Sequence, residues 1–212
     1  MKWKEFVEIA GNLPVIDTEM LLAGVANPNS IKVQISRWKK QGKVIQIKRG
    51  IYALAEPYKK LDVYEPYLAA LLKQPSYISL EKAFEYHGLI PEGVSVYTCI
   101  TTKRPGKIIS KLGVFDYKHV KASLFWGYTA ITVNKQTAFM ALPEKALLDF
   151  FYLKGIKISP DYLNEMRLQN LRDIDLDQLL AFAKKFKKPG MLNVAKVIRE
   201  YVGQEKDKDK EL

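Results

Sequence analysis

Chemistry in this chain would have to come from few residues. Two histidines, His87 and His119, and one cysteine, Cys99, stand apart from each other and from the acids, without the clustered spacing of a metal site. His87 directly precedes Gly88, the place of a helix C-terminal residue, where an imidazole suits the helix dipole. Lys103-Arg-Pro-Gly106 lacks the glycine spacing of a phosphate-binding loop. Glu144, Lys145 and Asp149 have the types of a nuclease triad. On a helix, however, Glu144 and Lys145 project from different faces, and Lys145 with Asp149 makes an ordinary i, i+4 ion pair. Glu144 suits a first helical turn. No catalytic residue, metal ligand or cofactor follows from these groups, and the chain reads as a non-enzyme.

Binding chemistry is better represented. The 212 residues carry a formal net charge of +11, which favours polyanionic partners without choosing among them. Its distribution is more telling. Residues 30–50 hold Lys32, Arg37, Lys39, Lys40, Lys43, Lys48 and Arg49 with no Asp or Glu, whereas a solvated face ordinarily mixes signs. Within this stretch Ile31, Ile35 and Trp38 share one helical stripe, which leaves Asn29, Ser30, Lys32, Val33, Ser36, Arg37 and Lys40 around the other side. Those types suit a DNA major groove. Arg37 and Lys32 can donate to guanine or phosphate, Asn29 and Ser36 are adaptable, and an outward Val33 can meet a thymine methyl. Arg49, at a turn further on, would enter a minor groove or touch phosphate, with Lys43 and Lys48 on the backbone.

The elements needed to present those groups are legible in residues 1–58. Trp3, Phe6, Val7 and Ala10 recur at helical spacing up to Gly11. Asp17 caps a short helix, and residues 24–28 form a turn. Asn29 or Ser30 caps a third helix that runs to about Gln41 before Gly42. The β-branched and aromatic run over 43–54, broken at Lys48-Arg49-Gly50, predicts a β-hairpin in which Gly50 takes a positive φ. Helix, short helix, turn, helix, hairpin is the order of a winged helix-turn-helix. Residues 55–63, with Pro57, read as a connector. Residues 59–202 then read as a mixed α/β domain with a helical end: helices around 64–71 and 79–88, strands over 94–102, 113–117, 128–133 and 136–141, and helices opened by Pro143, Ser159, Asp175 and Pro189. Residues 203–212, alternating Lys with Asp and Glu, predict a disordered tail. The whole is α+β.

Ile35-Ser-Arg-Trp-Lys-Lys-Gln-Gly-Lys-Val-Ile-Gln-Ile-Lys-Arg-Gly-Ile-Tyr52 resembles the winged helix of AbiEi-type antitoxins, the transcriptional-regulator component of type IV toxin–antitoxin and phage-defence (abortive infection) systems. Tyr77-Ile-Ser-Leu-Glu-Lys-Ala-Phe-Glu-Tyr-His-Gly-Leu89 and Ala141-Leu-Pro-Glu-Lys-Ala-Leu-Leu-Asp149 are similar to later segments of that family, in the same order, so the resemblance spans roughly residues 3–155. It implies a repressor that binds inverted repeats in the double-stranded DNA of its own promoter, with cooperative self-association there. It further implies a C-terminal domain that counteracts a nucleotidyltransferase-like toxin without a stable complex being required. The family's DNA-contacting helix and wing fall on Arg37, Lys40, Lys43 and Arg49.

A second basic group, Lys103, Arg104, Lys107, Lys111, Lys118 and Lys121, has Asp116 as its only acidic neighbour between 103 and 121. It either solubilises strands and loops or extends a nucleic-acid or toxin-facing surface, where Phe115, Tyr117, Phe125 and Trp126 would be available for base stacking. The remaining readings are a stand-alone winged-helix regulator and an RNA- or toxin-binding module without promoter recognition. No apolar run approaches the roughly 20 residues of a membrane span. The start lacks a signal core and the lone cysteine cannot form an internal disulfide, so a cytoplasmic protein without a membrane partner is expected.

Overall fold

Hydrophobic spacing in the first 54 residues produces α1 (Trp3–Ala10), β1 (Ile16–Asp17), α2 (Thr18–Leu21), α3 (Pro28–Lys40), β2 (Val44–Lys48) and β3 (Ile51–Leu54) in a computed structural model that describes residues 1–155 and 157–208. The three strands are antiparallel in the order β1-β3-β2. Phe6, Ala10, Ile16, Leu22, Ile31, Ile35, Trp38, Val44 and Leu54 form one buried cluster. At its edge Trp38 meets the rings of Trp3 and Phe6 at 4.9 and 4.7 Å between centroids.

Two local details differ from expectation. The N-cap of α3 is Asn27, whose side chain accepts from the Ser30 N–H at 3.3 Å, so Asn29 and Ser30 lie inside the first turn. Pro28 explains the shift: it is best tolerated at the first helical position, where no N–H is needed, and it starts the helix earlier. At the other end of the chain, the helix at 189–208 continues past Gly203 to Lys208, where the sequence predicts a disordered tail. A glycine in a helix costs only about 1 kcal/mol, and the preceding turns are anchored by buried Ile198 and Val202. The rest of the expected tail, 209–212, lies outside the described residues.

The second part is mixed α/β. It runs α4 (Glu65–Leu72), β4 (Ser76–Ile78), α5 (Leu80–Tyr86), β5 (Val96–Thr101), β6 (Gly106–Ser110), β7 (Gly113–His119), β8 (Tyr128–Val133), β9 (Gln136–Ala141), α6 (Pro143–Lys154), α7 (Pro160–Glu165), α8 (Leu176–Lys185) and α9 (Pro189–Lys208). Its sheet has the order β6-β7-β5-β4-β9-β8. The pairs β5–β7 and β4–β9 are parallel and the other pairs antiparallel. The protein is thus α+β, with helices and two sheets. Among the described residues, no helix is long and apolar enough to cross a membrane.

Strand alternation gives the small sheet two buried faces. Val44, Tyr52 and Leu54 pack toward the N-terminal helices. Ile47, Ile51 and Ala53 point the opposite way and join the core of the larger sheet. A bulge between Gln46 and Lys48 adjusts the register just before the turn. The turn itself is tied down: Thr18 donates from both its backbone N–H and its hydroxyl to the Gly50 carbonyl, at 2.9 Å each. Gly50 has φ +84°, and a Cβ there would lie 3.5 Å from the Thr18 hydroxyl. The space is adequate and the backbone is the obstacle. Gly50→Ala is therefore expected to lower stability by about 1–2 kcal/mol, read as a shifted urea midpoint at unchanged slope. An unchanged midpoint would show that the turn relaxes into another conformation.

Candidate nucleic-acid interface

The exposed face of α3 is built by what the helix buries. Ile31, Ile35 and Trp38 are turned into the small core. Asn29, Ser30, Lys32, Val33, Ser36, Arg37 and Lys40 are left in solvent. Val33, a β-branched residue, is 52 % exposed. Between the first half of α3, α2 and the hairpin tip runs a groove of about 620 Å³, and Lys32 and Arg49 both line it, together with Glu19 and Pro28. Two cations that are 17 positions apart in the chain thereby face one concavity.

The expected contact residues divide by what their side chains already touch. Among the described residues, Lys32, Arg37, Lys40 and Arg49 form no ion pair. Lys43, Lys48 and Ser30 have internal partners. Lys43 is half-buried, with Nζ 5.2 Å from the centre of the Trp3 ring, a cation–π contact that steadies the edge of the small core. Lys48 donates to the Leu72 carbonyl at 3.0 Å. That carbonyl ends α4 and has no partner within its helix, so the lysine satisfies it and suits the dipole. In the free protein Lys43 and Lys48, both expected on a nucleic-acid backbone, therefore rest on internal partners. The Ser30 hydroxyl likewise donates to the Asn27 carbonyl at 3.0 Å, a capping contact. Lys39 donates to the Gln46 side chain at 2.8 Å, linking α3 to β2.

The second basic group is exposed along β6, β7 and the adjoining loops. Within it Lys118 pairs with Asp116 at 3.0 Å. The stacking role considered for nearby aromatics fails for Phe115 and Tyr117, both fully buried. Trp126 packs against Phe182 and Phe186, and Phe125 against Tyr77. The strand pattern drives Phe115 and Tyr117 to the inner face of the sheet, so adjacent lysines do not make them accessible.

Lys145 and Asp149 are more than an ordinary surface pair. Both are fully buried. Lys145 donates to Asp149 and, at 2.8 Å, to the Tyr77 hydroxyl. Tyr77 and Ser79 each donate to the second Asp149 oxygen at 2.9 Å. The ammonium sits 4.8 Å from the Trp126 ring centre, and Gly127 leaves space for its stem, since a Cβ there would fall 2.9 Å from Cγ. Burial pushes the Asp149 carboxyl up and the Lys145 ammonium down, with each charge opposing the other's shift. Burial, reinforced by Asp149, pushes the Tyr77 phenol up. Ser79 is the N-cap residue of α5 but makes no side-chain cap bond, because its hydroxyl serves Asp149. Glu144 is also buried and accepts from the Asp175 N–H and the Gln178 side chain, both at 3.0 Å, fastening α6 to the start of α8. His87 closes α5, and its Nε2 meets the Ala141 carbonyl at 2.7 Å. These groups hold the larger sheet to its helices.

Sequence reasoning missed Tyr77 and Ser79. The available signal was Asp149 inside the apolar run Ala146-Leu-Leu-Asp-Phe-Phe151, with Lys145 directly before it, a pattern that no exposed helix would carry. No protein-family model matches the chain, and no curated protein matches it in a sequence search.

Proposed function

We propose that the chain is a sequence-specific, double-stranded DNA-binding transcriptional regulator of the cytoplasm, in which the first 58 residues act as a winged helix-turn-helix. In this reading α2 and α3 are the helix-turn-helix, α3 enters the major groove, and the β2–β3 hairpin is the wing. The observation that carries it is the exposed, acid-free face of α3, whose Lys32, Arg37 and Lys40 are unpaired and whose groove is shared with Arg49. An outward Val33 beside unpaired cations is a set of residue types that suits a major groove. The β2–β3 hairpin follows three helices and pairs with β1 in the order β1-β3-β2, which supports the same reading.

Arg37 is assigned to a base edge, and Lys32, Lys40 and Arg49 to phosphates. The resemblance to AbiEi-type antitoxins extends the proposal to repression of the protein's own promoter through inverted repeats. It also gives residues 59–202 an antitoxin role against a nucleotidyltransferase-like toxin, without a catalytic step by this chain.

Fluorescence anisotropy with the duplex upstream of the gene, against a scrambled duplex, tests the first part. Arg37→Ala is expected to cost about 1–3 kcal/mol on the promoter duplex and to narrow the gap between the two duplexes. Equal affinity of wild type for both duplexes would sink the regulator reading. An unaltered gap in the variant would remove Arg37 from base recognition.

A further inference from the structure

Aromatic side chains line an open pocket where α4 meets the β8–β9 edge of the larger sheet. Its volume is about 410 Å³, and Tyr67 from α4, Phe125, and Tyr128 and Phe139 from β8 and β9 form its walls, with Gln74 and Ser76 beside them. That volume lies in the usual range for small-molecule sites. Phe139 is 40 % exposed, and Tyr67, Phe125 and Tyr128 are only partly buried. Four rings around one opening are more aromatic surface than a solvent-facing sheet needs.

The rings are also held in place. Tyr128 stacks on buried Tyr77 at 4.7 Å and 21°, and it meets Phe125 and Phe139 edge-on at 5.3 and 5.6 Å. Tyr77 is fixed beneath by its bonds with Lys145 and Asp149. A ligand entering here finds walls already ordered and loses little to rearranging them.

Polar groups complete the pattern. Ser76 is 6 % exposed, and its hydroxyl is buried without a hydrogen-bond partner among the described residues. Such a group costs stability unless something satisfies it. Gln74, two residues earlier and exposed, offers a carbonyl and an amide side by side. A planar ring with a mixed donor and acceptor edge matches this arrangement. Aliphatic ligands would leave the Gln74 amide unmet, and charged ligands find no opposite charge in the lining.

We propose that this pocket binds one nucleobase-sized heterocycle, its π-face against Phe139 and its polar edge toward Gln74, as in a free nucleoside. The proposal is independent of DNA recognition by α3.

Isothermal titration of the full chain with adenosine, guanosine, cytidine and uridine, and with ribose as the control lacking a ring system, tests it. At least one nucleoside is expected to bind with a Kd below about 1 mM, and ribose is expected to give no heat. Phe139→Ala and Gln74→Ala should each weaken that binding by about tenfold. Both positions are exposed or partly exposed, so an unchanged thermal midpoint should accompany the loss. Absence of binding by all four nucleosides to the wild-type chain overturns the proposal. So does binding that ribose reproduces, or that neither substitution alters.

Discussion

Asp149→Ala is expected to lower the free energy of unfolding by about 3–5 kcal/mol, the cost of breaking a buried pair by removing one partner. The substitution strands the Lys145 ammonium in a site with no exposure to water, among the rings of Tyr77, Trp126 and Phe186. It also takes the acceptor from the Tyr77 and Ser79 hydroxyls at once. Lys145 can escape part of the penalty by losing its proton, a change that burial already favours. Asp149→Asn keeps an acceptor for the hydroxyls and should cost less than the alanine. Urea unfolding at neutral pH, with the slope m checked for constancy, measures both. A loss below about 1 kcal/mol for Asp149→Ala would place the pair among solvated surface ion pairs, contrary to its enclosure.

Affinity for the promoter duplex should fall about 40-fold per bound chain as salt rises from about 50 to about 200 mM. The figure follows from three phosphate contacts, by Lys32, Lys40 and Arg49, each adding about −0.9 to the slope of log K against log salt. Were Lys43 and Lys48 also on the DNA, the slope would steepen to about −4.5 and the fall to about 500-fold. A salt titration therefore separates the cations left unpaired by the fold from those spent on Trp3 and Leu72. A slope near zero would end the phosphate assignment altogether.

Sequence alone carried the α3 face a long way, because Ile31, Ile35 and Trp38 repeat at helical spacing and fix which side is outward. It also located the Gly50 turn, whose backbone only glycine adopts easily. It could not distinguish Lys48 from Arg49. The Leu72 carbonyl that claims Lys48 lies 24 residues away, and nothing local marks it. Short strands escaped for a related reason. Ile16–Asp17 is too brief to show alternation, Ser76–Ile78 is buried throughout and shows none, and Gly106–Ser110 is an exposed edge whose Lys107 reads as loop. The Tyr77–Ser79–Lys145–Asp149 cluster joins residues about 70 positions apart, so its parts were visible as motifs while their meeting was not.

The small sheet, covered on both faces, limits how separable the chain is. Ile47, Ile51 and Ala53 belong to the core of the larger sheet while Val44, Tyr52 and Leu54 belong to the other. A fragment cut after Tyr58 would bare an apolar face along the whole hairpin, inviting self-association in place of an independent module. Modularity is lost, and communication is gained in exchange. Any partner that loosens residues 59–202 is expected to weaken the support behind the hairpin that carries Arg49.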